Sequence, residues 1–269
     1  MKLEVLMSIM NIKNEEQLKN KINQNNITTD VLVINQVENN EDIFEFENIR
    51  CFSMNEKGAS KSRNNLMRLA KGDICIFADD DMIYDKNYEN TITKAFEKNP
   101  DADIILFYIG NYNENREKNK HIGNKKINIL DIMRARTSEI AFRKSFIEKY
   151  NIKFDENFGP PNKFKKGEDT IFLADCLKNK VKIYSVDEKI GSVKNETSTW
   201  FTGYNEEFLF CQGALFYRIY GIFSKLIFLQ FVIRKYGLYK KNLSIFAAYK
   251  QMVLGAKMVK KKEGEYAFL

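Results

Sequence analysis

The chain of 269 residues holds one histidine, one tryptophan, three prolines and four cysteines. A single histidine excludes zinc centres built from several imidazoles, and any Ser-His-Asp triad would hang on His121 alone. The cysteines, Cys51, Cys75, Cys176 and Cys211, form no CxxC pair, and three sit in apolar runs. They are expected to be reduced core thiols, as in a cytosolic protein. No apolar run approaches the ~20 residues that cross a bilayer. The longest, 226–233, is closed by Lys225 and Arg234, so no transmembrane helix is expected. The first residues carry Glu4 inside an apolar stretch with no small-residue cleavage pattern after it, so they read as a first strand and not as a secretory signal. Acidic residues are missing altogether between Arg218 and Lys262.

What is present suffices for a folded protein. A hydrophobic content of 44% over this length supports one large domain, or one domain with an appendage. Up to about residue 110, short β-like runs alternate with helical patterns, the signature of an α/β fold with a largely parallel sheet. Strands are expected at 3–9, 31–35, 50–53, 74–78 and 104–109, and further along at 140–142 and 181–186. A helix over 60–71 places Leu66, Leu69 and Ala70 on one face, with Ser60 as its N-cap. A second repeats Tyr88, Ile92, Ala95 and Phe96 before Pro100. The polar stretch 111–128, which contains His121, reads as a surface loop.

Three clusters can carry chemistry. Asp79-Asp80-Asp81 follows the apolar run 74–78, so three carboxylates emerge at the carboxyl end of a strand, the edge where open α/β sheets bind ligands. Adjacent carboxylates repel and raise one another's pKa unless a cation neutralises them, which suits Mg²⁺ or Mn²⁺. A solvated acidic turn is the bland alternative. Gly58-Ala59-Ser60 followed by Lys61-Ser62-Arg63-Asn64 opens a helix beside basic side chains and suits a phosphate or diphosphate, although capped helices with surface Arg and Lys are common. Gly167-Glu168-Asp169-Thr170 starts another helix. The acidic pair there either compensates the helix dipole or supplies a general base.

Taken in chain order, Gly58 to Asn64, then Lys71 to Asp81, then Gly167 to Phe172, the three motifs closely resemble those of glycosyltransferase family 2 over roughly residues 1–200. The resemblance implies the GT-A fold: a Rossmann-like, mostly parallel central sheet flanked by helices. Its parts would be a nucleotide-sugar-binding half at 1–110, an acceptor half at 111–204 and a helical extension at 205–269. It further implies an inverting transferase that uses a nucleotide-diphosphate sugar. Asp81 would ligate the metal, and Asp79 or Asp80 would contact the ribose, the metal or its water. Lys61, Arg63 and Asn64 would support the nucleotide, Asp169 would be the base, and Glu168 would orient it or bind the acceptor. Phe154-Asp155-Glu156 resembles the segment leading into the acidic pair. Where many members carry an Asp that reads the nucleobase, this chain has Asn35-Gln36, whose amides can pair with a uracil edge. No histidine follows His121 to complete a metal shell, leaving water, diphosphate oxygens or the segment 196–200 for that role. Trp200 and Phe201 are either a sugar-stacking platform or ordinary buried aromatics.

Two rivals remain. Asp79-x-Asp81-x-Ile83 is close to the D-x-D-x-[TV] motif of haloacid-dehalogenase-like phosphatases, but that motif follows a first strand and closes with Thr or Val. A non-catalytic surface-binding protein would account for the basic tail and not for the carboxylates. The tail from Arg218 to Lys262 holds 11 basic residues, and removing them leaves 32 basic against 36 acidic. Its charge is interleaved with apolar residues that suit a lipid interface better than nucleic acid. An anionic membrane surface, the inner face of the cytoplasmic membrane, is the expected partner, each Lys or Arg contributing roughly 1 kcal/mol. A lipid-linked, for instance undecaprenyl-linked, acceptor in bacterial capsule or exopolysaccharide synthesis would explain it. Packing on the catalytic domain or forming a homodimer is the alternative.

Overall fold

The computed structural model describes residues 1–38, 42–111, 122–194 and 203–266. His121, Trp200 and Phe201 lie outside the described residues. The chain divides into two compact units: Met1–Phe154 with Phe172–Glu196, and Asp155–Ile171 with Thr197–Leu269. This differs from the expected partition at residue 204, because the stretch carrying Glu168 and Asp169 groups with the tail.

The first unit opens with β1 (Leu3–Met10), α1 (Glu15–Gln24), β2 (Asp30–Gln36), β3 (Ile43–Phe46), β4 (Ile49–Met54), α2 (Ala59–Leu69) and β5 (Ile74–Ala78). It continues with β6 (Met82–Tyr84), α3 (Tyr88–Lys98), β7 (Ile104–Asn111), β8 (Lys125–Lys126), β9 (Ile140–Arg143) and α4 (Lys144–Tyr150). α5 (Glu168–Lys178) begins in the second unit and passes into the first, which β10 (Ile183–Val193) completes. The ten strands form one sheet in the order β3-β4-β2-β1-β5-β9-β7-β10-β6, with β8 on β10. β1, β2, β4 and β5 run parallel, as do β7 and β10. β9 lies antiparallel between these two blocks.

Burial explains why the strands were readable. All five residues of β5 are buried, as are the first five of β1, and a strand covered on both faces reads as a continuous apolar run. β3, β6 and β8 were not anticipated, since two to four residues give too short a pattern to register. α1 begins at Asn14, whose side chain accepts from Gln17 N at 2.9 Å, and it buries Leu18 and Ile22. From β1 the order steps outward through β2 to β4, then returns to place β5 on the other side of β1. That reversal creates a topological switch point between the carboxyl ends of β1 and β5, where a ligand crevice forms.

The second unit is helical after its first loop: α6 (Glu206–Tyr220), α7 (Ser224–Arg234), α8 (Tyr236–Tyr239) and α9 (Ile245–Tyr266). Its core gathers Leu209 and Phe216 of α6, Phe228 and Val232 of α7, Tyr239, and Ala248, Met252 and Ala256 of α9. α6 and α9 cross in direct backbone contact. A Cβ on Gly213 would lie 2.0 Å from the Met252 carbonyl oxygen, and one on Gly255 would lie 2.0 Å from that of Phe210. The helical run Glu206–Arg234, 29 residues, is long and apolar enough to cross a membrane by length and composition. Counting only the uninterrupted run 226–233 missed this. The run is broken at Gly221 (φ 55°), and its α6 half is part of the core just described.

Candidate active site

The crevice edge of the first unit is tied together by small polar side chains. Ser8 of β1 meets Ser62 of α2 with 2.8 Å between their Oγ atoms, and Gln36 Nε2 donates to Ser8 Oγ at 3.0 Å. The same Gln36 accepts from Gly58 N at 2.8 Å, which fixes the entry into α2. Gly58 sits at φ 130°, a conformation open to glycine alone in practice, and it is the N-cap residue of α2. Ser60, expected as the cap, is instead a buried residue of the first turn. Asn35 is fully buried and spends its amide on Ile12, accepting from its N–H at 3.0 Å and donating to its carbonyl at 2.8 Å, with a further bond to Ser53 Oγ. Asn35 and Gln36 therefore shape the loop after β1 and the start of α2.

The three aspartates follow β5 in a tight turn closed by Met82 N donating to the Asp79 carbonyl at 3.2 Å. Each carboxylate has a different surrounding. Asp79 lies 3.7 Å from Arg63 Nη2, whose side chain is largely buried. Asp80 points toward Lys21 of α1 at 3.6 Å, and its carbonyl accepts from the buried Asn25. Asp81 is half-buried; burial first, and then the neighbouring Asp80 charge, push its pKa up, with Lys21 and Lys194 pulling the other way. A carboxylate in that situation gains from a cation beside it. Asp79 and Asp81 as hard oxygen donors fit Mg²⁺ or Mn²⁺. No three His, Cys, Asp or Glu side chains converge into a preformed cage among the described residues.

Of the helix-opening residues, Lys61 is exposed, while Arg63 and Asn64 turn inward. Asn64 clamps Phe154, donating to its carbonyl at 3.0 Å and accepting from its N–H at 2.8 Å. The Arg63 guanidinium lies 5.6 Å from the centre of the Phe154 ring. Phe154 in turn stacks on Phe172 of α5, with centroids 4.2 Å apart and planes 3° from parallel, and meets Phe77 edge-on. This ties Asp79, through Arg63 and two aromatic rings, to the body of α5. Lys21, Asn25 and Ser8 were not singled out in the sequence, because their roles come from tertiary contacts with the motif residues. An open recess of about 640 Å³ lined in part by Lys94, Lys98, Lys125 and Lys126 contains none of the expected site residues.

In the second unit, Glu168 and Asp169 occupy the first turn of α5. Glu168 is buried and abuts Gly159, where a Cβ would lie 3.0 Å from the Glu168 carboxyl carbon. Gly167, at φ 101°, accepts from Ile171 N at 2.9 Å, and a side chain there would press on Leu215 at 2.8 Å. The loop before it packs Phe158 on Phe164 and Phe164 on Phe210, and Asp155 pairs with Arg218 Nε at 2.9 Å. The acidic pair thus follows a loop whose side chains are pinned to α6.

Lys166 lies beside that pair in the chain, donates to Gln212 Oε1 at 2.5 Å and sits 3.5 Å from the centre of the Phe208 ring. Burial pushes its pKa down to about 7, against a smaller raising influence of Cys211. The unfolded lysine holds a proton between about pH 7 and 10.5 that the folded one releases, so stability rises with pH across that window. Denaturation midpoints should increase from pH 7 to pH 9, by about 2 kcal/mol in stability, and Lys166→Met should flatten the rise. Parallel profiles for the two proteins would refute it.

Residues 30–159 match Glycosyl transferase family 2. That stretch has the pattern of a glycosyltransferase family 2 domain. Its enzyme class is accordingly glycosyl transfer, and the expected GT-A architecture is the one found. Among solved structures, S. aureus TarS 1-349 in complex with UDP-GlcNAc is similar with a TM-score of 0.61 at 13% identity, covering 98% of this chain and 92% of that one. TarS 1-349 in complex with UDP gives 0.56 at 16%, covering 90% and 74%. Against TarS itself the TM-score is 0.57 at 16% identity, covering 90% of this chain and 45% of that one. At these identities the likeness is one of fold. No curated protein matches the sequence.

Proposed function

We propose that this family 2 domain transfers a sugar, with inversion, from a UDP-sugar to a hydroxyl of a saccharide or lipid-linked saccharide in bacterial surface-polysaccharide assembly. The observation that carries the reading is the Asp79–Asp81 turn at the switch point, with Asp81 half-buried and under the charge of Asp80. The UDP and UDP-GlcNAc complexes of the similar fold support uracil as the base. Asp79 and Asp81 would hold Mg²⁺ or Mn²⁺, which supplies charge neutralisation to the leaving diphosphate. Arg63 holds Asp79 in place. Asn35 and Gln36 fix the loop after β1 and the start of α2, and Lys61 offers an exposed cation to a phosphate. Asp169 takes the proton of the acceptor hydroxyl, whose oxygen attacks the anomeric carbon while the bond to the diphosphate breaks and its electron pair leaves with the phosphate oxygen. Glu168, buried against Gly159, orients the start of α5. The chain works at the inner face of the cytoplasmic membrane.

The experiment is a panel of nucleotide sugars incubated with the purified chain and either metal, with release of nucleoside diphosphate as readout. Release from one UDP-sugar, abolished by EDTA and restored by Mn²⁺ or Mg²⁺, is expected. Turnover that survives EDTA, or preference for a non-uridine donor, would overturn the metal or the base assignment respectively.

A further inference from the structure

The second unit presents an apolar surface that nothing in that unit covers. Ile222, Phe223, Leu226, Leu229 and Ile233 recur at helical spacing along the Gly221–Phe223 turn and α7, with 79%, 67%, 71%, 49% and 56% of their surfaces exposed. The opposite face of the same helix buries Ser224, Phe228 and Val232. α7 therefore carries apolar side chains on both its buried and its exposed face, with Lys225, Gln230 and Arg234 exposed alongside, the pattern of a helix that meets a second apolar phase. Leu238 and, at the start of α9, Phe246 are exposed at 57% and 78%.

The charges around these side chains say which phase. Lys225, Arg234, Lys240 and Lys241 are exposed, and no acidic residue occurs from Arg218 to Lys262. A second copy of the chain laid on this face would bring lysines and arginines against lysines and arginines with no carboxylate to pair them. An anionic bilayer offers hydrocarbon to the leucines and phosphate to the cations. The break at Gly221 and the burial of α6 in the core argue for a helix lying in the interface and not for one that spans it.

We infer that α7, with the turn before it and the exposed residues Leu238 and Phe246 beyond it, docks flat on an anionic lipid surface. The inference specifies the membrane contact named in the proposed function and stands on the surface of the second unit alone. Vesicle binding and sugar transfer are separate readouts, so either reading can fail without the other. The test is co-sedimentation of the full chain with phosphatidylglycerol-containing or pure phosphatidylcholine vesicles, with sedimentation velocity in parallel. Binding to the anionic vesicles should exceed that to neutral ones at least tenfold. It should fall at least tenfold in Phe223→Ser/Leu226→Ser and in Lys240→Glu/Lys241→Glu, with circular dichroism of both variants unchanged. Equal binding to both vesicle types, or no loss in the variants, would overturn it. So would a dimer that dissociates in Phe223→Ser/Leu226→Ser while vesicles are ignored, which would give the face to a second copy.

Discussion

Asp169→Asn should lower the rate of sugar transfer by about 10²–10⁴-fold while leaving donor affinity within about twofold. Asparagine keeps the shape of the side chain and its capacity to accept a hydrogen bond, but it cannot take a proton from the acceptor hydroxyl. The backbone around it should not move. Gly167 anchors the first turn of α5, and Phe172, three positions after Asp169, is locked in the stack with Phe154. Asp81→Asn should fail differently. The half-buried Asp81 carboxylate, pushed up in pKa by burial and by Asp80, gains from a divalent cation beside it, so its loss should weaken donor binding and raise the metal concentration needed for turnover. The contrast is measurable as a split between kcat and donor Kd, by initial rates and by calorimetric titration with UDP. If Asp169→Asn kept full turnover, the base would have to be sought elsewhere, with the buried Glu168 as the next carboxylate in the chain.

How far the sequence revealed these groups depended on whether their role is local. β5 is an unbroken apolar run because it is covered on both faces, so the aspartates after it could be placed at a sheet edge without a structure. The cysteines were legible for the same reason: all four are buried, and burial pushes the Cys51 thiol up to about 12. The amides of Asn35 and Gln36 were not legible. Their partners, Ile12, Ser53, Ser8 and Gly58, come from separate strands and turns, and only the assembled sheet shows that both side chains hold backbone and hydroxyl groups. The grouping of Asp155–Ile171 with the tail was hidden likewise, since it rests on Phe164 meeting Phe210 and Asp155 meeting Arg218 across more than 40 residues. In the tail, the sequence showed apolar residues interleaved with cations. That pattern could not say that α6 packs on α9 through Gly213 and Gly255 while one face of α7 stays exposed.

Glu4 carries the largest expected effect on stability. In the sequence it interrupts an apolar run, yet in β1 it is 2% exposed and accepts from Arg50 Nη2 at 2.6 Å, Lys71 N at 2.6 Å and Gly72 N at 2.9 Å. These bonds fasten the turn before β5 onto β1, and so hold in register the two strands whose carboxyl ends flank the crevice. Gly72 is part of the arrangement, since a Cβ there would lie 2.6 Å from that of Glu4. Glu4→Ala strands the mostly buried Arg50 without its counter-charge and leaves two backbone N–H groups unpaired, a loss of about 3–5 kcal/mol. Urea denaturation should show it as a lower midpoint. The double variant Glu4→Ala/Arg50→Met removes the orphaned cation as well and should recover part of that loss, because breaking a buried pair costs more than deleting it. A double variant as unstable as the sum of the singles would mean that the two side chains act independently. In that case the turn before β5 would owe its position to the backbone pairing of Ile74 with Leu3 rather than to the buried carboxylate.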